Sequence, residues 1–479
     1  MKSVKILAVI AAILGLGILL RLFYISVIDG KNLARQAVAQ RTESVKFTSP
    51  RGIIYDRNMI KLTDSEMELV IKDGTPYYVD KRENSILSHV IGYISGDGSG
   101  CGIEGAFDYA LSSDGTSSIA YLKDINNNKV SDGYSIDIDS SYKGVSLTID
   151  YHIQKIAENA MDRHKISGAV IVADCQSGEI LAMASRPDFD RRKLTEYLDG
   201  TDGELVNKAI VQYNPGSVFK IVVAAAALEN SFSEDMIYEC TGKTDIDGIE
   251  FVCHKDDGHG IQSMSQAFAN SCNCAFYDIG ISLGAEEIHK YASAFGIGRE
   301  VLNINGISEE KGFVPSYSMV RAEIANISIG QGDVMVTPLQ IADILCTVCS
   351  GGVRKQMILI RGMVNEAGVC TPVETSEIGR VISETTARRL MNMMRLAVSE
   401  GTGGEAQIET HGAGGKTGSA ETGWKKDGEL MQQGWFAGFY PAENPKYVCV
   451  VIAENGKSGS DSACPVFRDI GTEMCKVCK

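Results

Sequence analysis

The chain has 479 residues, room for roughly three domains or for one large domain with attachments. Its 44% hydrophobic and 22% charged content excludes a disordered polymer, and a formal net charge of −15 excludes a general nucleic-acid binder, which needs a basic face. Thirteen cysteines is an odd number, so at least one thiol finds no partner within the chain.

The first element is apolar from Ile6 to Leu20, is interrupted by Arg21, and continues as "LFYISVI" to Ile28. That length spans a hydrocarbon layer of about 30 Å at about 1.5 Å per residue. Lys2 and Lys5 precede it, which predicts a cytoplasmic N-terminus with everything after the helix outside the cell. Arg21 is costly at membrane depth, but near the outer end its guanidinium can snorkel to the interface. No A-x-A-like cleavage site follows the run, so an uncleaved anchor over 1–30 is expected in preference to a signal peptide.

Residues 31–149 read as a small, strand-rich segment with turn-rich stretches ("SGDGSGCG", "DINNNKVSDG") and no long amphipathic helix. From Asp150 the pattern changes. "IQKIAENAMDRH" has helical spacing, and "GAVIVADCQSGEILAMAS" predicts two β runs joined by a turn at Gln176-Ser177-Gly178. Residues 203–350 read as mostly helical. "GWFAGFYP" and "YVCVVIAEN" form a late hairpin. If the early and late hairpins share one sheet, the helical middle packs against it and leaves a cleft at the seam. The expected architecture is thus α/β (α+β), with an antiparallel sheet flanked by helices and a helical subdomain over 150–479.

Two C-x-x-C pairs occur. Cys346 and Cys349 lie in the apolar helical pattern "IADILCTVCS" and read as core side chains. Cys475 and Cys478 close the chain and allow a ligand pair or a disulfide. Cys240 and Cys253 could pair in an oxidising compartment. His254 and His259, in "CHKDDGHG", could join Cys253 in a zinc site, although a structural loop is the reading preferred. The seven histidines include no H-E-x-x-H.

S-x-x-K occurs three times: Ser140/Lys143, Ser217/Lys220 and Ser308/Lys311. The outer two lie in "DSSYKG" and "SEEKG" and read as solvated surface. The middle copy opens an apolar helix from Ile221 to Leu228, where a spacing of three places both side chains on one face. Free N–H groups and the positive dipole end favour an oxyanion there. Lysine can deprotonate a serine only when its own pKa is lowered, and the apolar run supplies the dry surroundings. On its own this is still an N-cap serine with an unrelated lysine. Further on, Ser271-Cys272-Asn273 pairs a second hydroxyl, able to relay a proton, with an amide able to hold a peptide group. Lys416-Thr417-Gly418 places a cation and a hydroxyl beside flexible backbone, fit for a carboxylate. A phosphate loop is excluded because Thr410 stands where the leading glycine is required and no helix is expected to follow. Lys457-Ser458-Gly459 repeats the tripeptide type but trails the last strand, and is set aside.

S-x-x-K, S-x-N and K-T-G in this order resemble class B penicillin-binding proteins, with Cys272 in place of the aspartate of S-D-N. The likeness extends to "RGIIYDRN" (51–58), "GIEGAFD" (102–108), "LTIDYHIQ" (147–154), "YNPGSVFK" (213–220), "GHG" (258–260), "IGQGDVMVTPLQIA" (329–342) and "GWFAGFYP" (434–441). It implies a β-lactamase/transpeptidase-like fold over 150–479, behind a pedestal at 31–149 too short for a glycosyltransferase. It further implies a D,D-transpeptidase that cross-links peptidoglycan stem peptides, is blocked by β-lactams, and works beside a membrane glycan polymerase, with no cofactor and no metal. On this resemblance Ser217 is the nucleophile, Lys220 its base and Ser271 a proton shuttle. Asn273 holds the donor peptide, and Lys416, Thr417 and Gly418 receive its terminal carboxylate. The backbone N–H groups of Ser217 and Ser419 form the oxyanion hole. Arg51, Asp56 and Arg57 are expected to be structural. Two other functions could use the same site: a relative that hydrolyses or senses β-lactams, and a non-catalytic scaffold for wall synthesis.

Overall fold

The computed structural model describes residues 2–48, 51–63, 67–72, 75–80, 86–95, 99–112, 116–123, 129–137, 144–316, 319–365, 367–373, 376–426, 429–454 and 456–477. Ser140/Lys143, Cys478 and parts of both turn-rich stretches lie outside them. The chain packs as two units: one takes 1–51, 66–81 and 112–142, the other 52–65, 82–111 and 143–479. Several segments that chain order assigns to the pedestal therefore pack with the second unit.

In the first unit, the apolar helix Lys2–Phe23 runs on through a π-helical turn, Tyr24–Ile28. Together they form a 27-residue stretch long and apolar enough to cross a membrane. The Arg21 guanidinium sits 5.6 Å over the Tyr24 ring, an amphipathic pairing suited to an interface. A second helix, Gly30–Arg41, follows directly, where the sequence suggested no long helix. Its alternating small and polar residues give only a weak stripe, which hides it from a periodicity search. Beyond it, the strands Thr42–Thr48, Thr116–Lys123 and Lys129–Asp137 form an antiparallel sheet, and Met67–Lys72 pairs with Thr75–Asp80.

The second unit is built on a five-stranded antiparallel sheet in the order Ile180–Arg186, Gly168–Asp174, Tyr447–Ala453, Glu429–Tyr440 and Gly414–Lys426. Both expected hairpins thus join one sheet. The central strand Tyr447–Ala453 is buried throughout, and its alternation sorts side chains to two cores. Val448, Val450 and Ile452 enter the larger core with the helices Lys220–Glu229 and Pro338–Cys349. Cys449 and Val451 enter the smaller one, between the helices Tyr151–His164 and Cys464–Val477. Caps fix the helix starts: the Asp150 carboxylate accepts from the N–H groups of His152 and Ile153, and Thr337 and Gln340 form a capping box ahead of Pro338. Cys346 and Cys349 are core side chains, as expected.

A smaller sheet runs Cys370–Pro372, Ile360–Val364, Gly144–Leu147, Ile54–Tyr55. Within it, "RGIIYDRN" is structural. Asp56 is buried and accepts from the N–H groups of Asn58, Ile60 and Tyr151, and Arg57 pairs with Glu179 at 2.8 Å. The middle of the chain is not uniformly helical. Between Ile237 and Ser263 four short strands form two antiparallel pairs, too brief for a periodic signal to build up.

Asp343, on the Pro338–Cys349 helix, and Arg354, on Val353–Lys355, form a buried pair with Nη2···Oδ2 at 2.7 Å and Nε···Oδ2 at 2.8 Å. Burial lifts the Asp343 carboxyl to about 6 although Arg354 opposes the rise. Arg354→Ala leaves that carboxylate buried and alone, and is expected to cost about 3–5 kcal/mol in urea unfolding, whereas exposed pairs such as Lys243–Glu250 change little.

Candidate active site

The segment Gly216–Phe219 is a 3₁₀ turn that leads straight into the helix Lys220–Glu229, nearly all of it buried. The turn places Ser217 on the wall of a cavity of about 670 Å³, partly exposed, while Lys220 points into the protein and is fully buried. A buried lysine needs partners, and here they come from the S-x-N turn. Nζ donates to the Ser271 carbonyl oxygen at 2.7 Å and to Asn273 Oδ1 at 2.8 Å, with Ser271 Oγ at 3.4 Å. The Phe276 ring lies 5.2 Å away. Burial pulls the Lys220 amine down from its usual range to about 7, against the opposing pull of Cys272, Cys253 and Cys274. Neutral amine is therefore available near physiological pH, as a general base requires.

Ser271 sits in the left-handed region at φ 55°, closing the helix Met264–Ala269 so that Asn273 can open Asn273–Leu283. Both Ser271 and Asn273 line the cavity.

The third motif lies on Gly414–Lys426, the edge strand of the sheet. Thr417, Gly418 and Ser419 line the cavity. Lys416 does not. It is buried beneath them, donates to the Thr417 carbonyl oxygen at 3.0 Å and lies 5.7 Å from the Phe268 ring. Burial and the nearby Lys220 hold its amine well below the usual lysine range. The cavity surface at this edge is thus formed by Thr417, Gly418 and Ser419, with Lys416 behind them.

The strand reaches the Ser217 turn because both sides lack a Cβ at the crossing. A Cβ on Gly216, at φ +54°, would stand 2.4 Å from the Ser419 carbonyl oxygen, and one on Gly418 would stand 2.9 Å from that of Pro215. Gly418→Val forces strand and turn apart. About 100-fold slower β-lactam acylation is expected in a protein that still folds, read by labelling rate beside circular dichroism.

Some cavity groups escape a motif search. Thr402 Oγ1 lies 2.6 Å from Thr417 Oγ1, and Thr402 N donates to the Ala269 carbonyl oxygen at 3.1 Å, tying the K-T-G strand to the helix before Ser271. Ser458 and Ser460 also line the cavity, and Gly459 N–H donates to Ser419 Oγ at 3.3 Å. The tripeptide at 457–459, set aside in the sequence, therefore forms part of the rim, carried there by the turn after the central strand. Ser308 and Lys311, by contrast, are exposed surface.

Residues 168–472 match the family model for the penicillin binding protein transpeptidase domain. The chain belongs to that family. Stage V sporulation protein D of Bacillus subtilis is 32% identical over 437 residues, 86% of this chain and 65% of the relative. Peptidoglycan D,D-transpeptidase PbpA of Mycobacterium tuberculosis is 28% identical over 68% of this chain and 71% of its own length. Among solved structures, the D,D-transpeptidase domain of a peptidoglycan glycosyltransferase from Eggerthella lenta superposes with a TM-score of 0.75 at 25% identity, covering 90% of this chain and 99% of that one. The mixed α/β fold is thus that of penicillin-binding transpeptidase domains, and the three motifs read from the sequence all lie within the matched residues.

Of the metal donors considered in the sequence, Cys253 and His259 stand close to Cys240 and Cys272, the last of which is the middle residue of S-x-N. All are free thiols or imidazole in the structure, so Cys240 and Cys253 are not joined.

Proposed function

We propose that the chain is a membrane-anchored peptidoglycan D,D-transpeptidase that works through an acyl-enzyme on Ser217. The observation that carries this reading is the convergence of segments more than fifty residues apart: one turn brings Ser217 to the cavity, and one buried amine holds both polar side chains of the second motif.

In the proposed reaction, neutral Lys220 takes the Ser217 proton as Oγ bonds to the carbonyl carbon of the penultimate D-Ala. The backbone N–H groups of Ser217 and Ser419 receive the developing oxyanion. The peptide C–N bond then breaks, and the departing D-Ala amine collects the proton from Lys220 by way of Ser271. Asn273 holds the donor peptide, and Thr417 holds its terminal carboxylate over the buried Lys416. An acceptor amine from a second strand attacks the ester, forms the cross-link and returns the proton to Ser217 Oγ. A β-lactam follows the first half, but its leaving group stays tethered and the ester persists.

The apolar helix at the N-terminus supports an anchor with the catalytic unit outside the cell, the segments 31–51, 66–81 and 112–142 serving as the pedestal. A membrane glycan polymerase is the partner proposed, since cross-linking needs fresh strands at the same surface. Turnover of a chromogenic cephalosporin by purified protein tests the assignment against the β-lactam-hydrolysing alternative. One equivalent released and then a stall is the expected course; steady turnover contradicts it.

A further inference from the structure

Between Ile237 and Ser263 the chain leaves the main body as two short strand pairs, Ile237–Cys240 with Gly260–Ser263 and Lys243–Ile246 with Ile249–Val252. The excursion has almost no core. Its buried apolar side chains are Cys240, Ile246 and Cys253, while Ile237, Ile249, Val252 and Ile261 are each more than half exposed. A segment this small needs a staple in place of hydrophobic burial.

The staple is visible in its side chains. Cys240 ends one strand, Cys253 and His259 bound the loop that follows another, and Cys272 comes from the S-x-N turn of the main body. Their donor atoms all lie within 4.8 Å of one another. His259 Nδ1 stands 3.5 Å from Cys240 Sγ and 3.6 Å from Cys253 Sγ. A tetrahedral zinc with Zn–S of about 2.3 Å and Zn–N of about 2.0–2.1 Å places its donors about 3.5–3.8 Å apart. The two spacings from His259 already fall in that range, and the remaining donors stand within about 1 Å of it. The backbone is shaped for this approach. Cys253 N–H donates to the Gly242 carbonyl oxygen at 2.8 Å, and a Cβ on Gly258, at φ +74°, would stand 2.2 Å from the Cys240 carbonyl oxygen. Three cysteines and one histidine, the cysteines buried and the histidine half-buried, form a closed structural donor set with no position left for a substrate.

We infer that Cys240, Cys253, His259 and Cys272 bind one structural zinc ion that fastens this excursion to the turn carrying Ser271 and Asn273. The preference for a plain structural loop, drawn from the sequence, is revised because that reading could see two of the four donors but not the two that the fold brings in. Cys272 is a positioning residue. Its neighbours on either side are the groups that hold Lys220, so a metal bond at Cys272 restrains both. That link to catalysis rests on the function proposed above; the metal site does not.

The test takes the full chain in detergent, purified with neither chelator nor reductant, and measures zinc by mass spectrometry and cobalt(II) exchange by absorption. About one zinc per chain is expected, with thiolate-to-cobalt charge transfer and the visible bands of tetrahedral cobalt. Cys240→Ser and His259→Gln should each weaken zinc about 100-fold or more, while Ser217→Ala keeps the full complement and loses acylation only. Retention of metal by Ser217→Ala thus separates a failure of this site from a failure of the proposed reaction. Wild-type protein without metal and without a cobalt–thiolate band overturns the inference, as does a disulfide between any two of the three cysteines. Zinc held undiminished by both ligand variants overturns it as well.

Discussion

Ser217→Ala is expected to abolish covalent labelling by a fluorescent penicillin while leaving the thermal unfolding of the protein unchanged. The first half follows from the proposed chemistry: with no Oγ at position 217 there is nothing to form the ester. The second half follows from position. Ser217 is only partly buried, and Gly216–Phe219 holds its shape through the backbone, with Gly216 N–H donating to the Gly330 carbonyl oxygen at 3.0 Å. Loss of one hydroxyl there removes no buried partner. Labelling that persists in the variant places the acyl group elsewhere. A scaffold that merely keeps the fold predicts no labelling of either protein.

Lys220→Met carries the other large effect. The methionine fills most of the same apolar volume, so the helix Lys220–Glu229 keeps its packing, but Ser271 and Asn273 lose the amine that joins them. Acylation should slow by about 10³–10⁴-fold, the range a general base supplies. The wild-type rate carries a pH signature as well. In the proposed reaction Lys220 acts in its neutral form, and burial pulls its pKa down to about 7. Below that pH the amine is protonated and the acylation rate should fall about tenfold per pH unit; above it the rate should level off. Stopped-flow acylation from pH 5 to 9 reads this directly. A flat profile contradicts Lys220 as the base.

The chemistry was more legible in the sequence than the architecture that supports it. Ser217, Lys220, Ser271, Asn273 and Thr417 could be picked out because the motifs that carry them are short patterns of residue type and spacing, legible without the fold, and the structure brings the three motifs to one cavity. The long β runs on both sides of the turn at 176–178 were equally clear, since a buried strand writes its apolar pattern over several residues. What was missed depends on contacts distant in sequence. Ile54–Tyr55 lies parallel to Gly144–Leu147, and Ile360 pairs with Leu147 across more than two hundred residues; strands so short leave no pattern of their own. Ser458 looked like part of a decoy because nothing local says that the turn after Ala453 folds back to Ser419. Lys416 was expected to meet the carboxylate directly, and only the sheet shows it buried below Thr417. Cys240 and Cys272 gave no hint of each other, thirty-two residues apart, until the loops closed.

The most direct test of the account offers the purified full chain a stem-peptide donor ending in D-Ala-D-Ala and an acceptor amine, and follows protein and products by mass spectrometry. The account predicts a transient ester on Ser217, release of one D-Ala for each donor consumed, and a donor–acceptor cross-link that disappears with Ser217→Ala. Folded, penicillin-labelled protein that forms no ester with the peptide and yields no cross-link contradicts it.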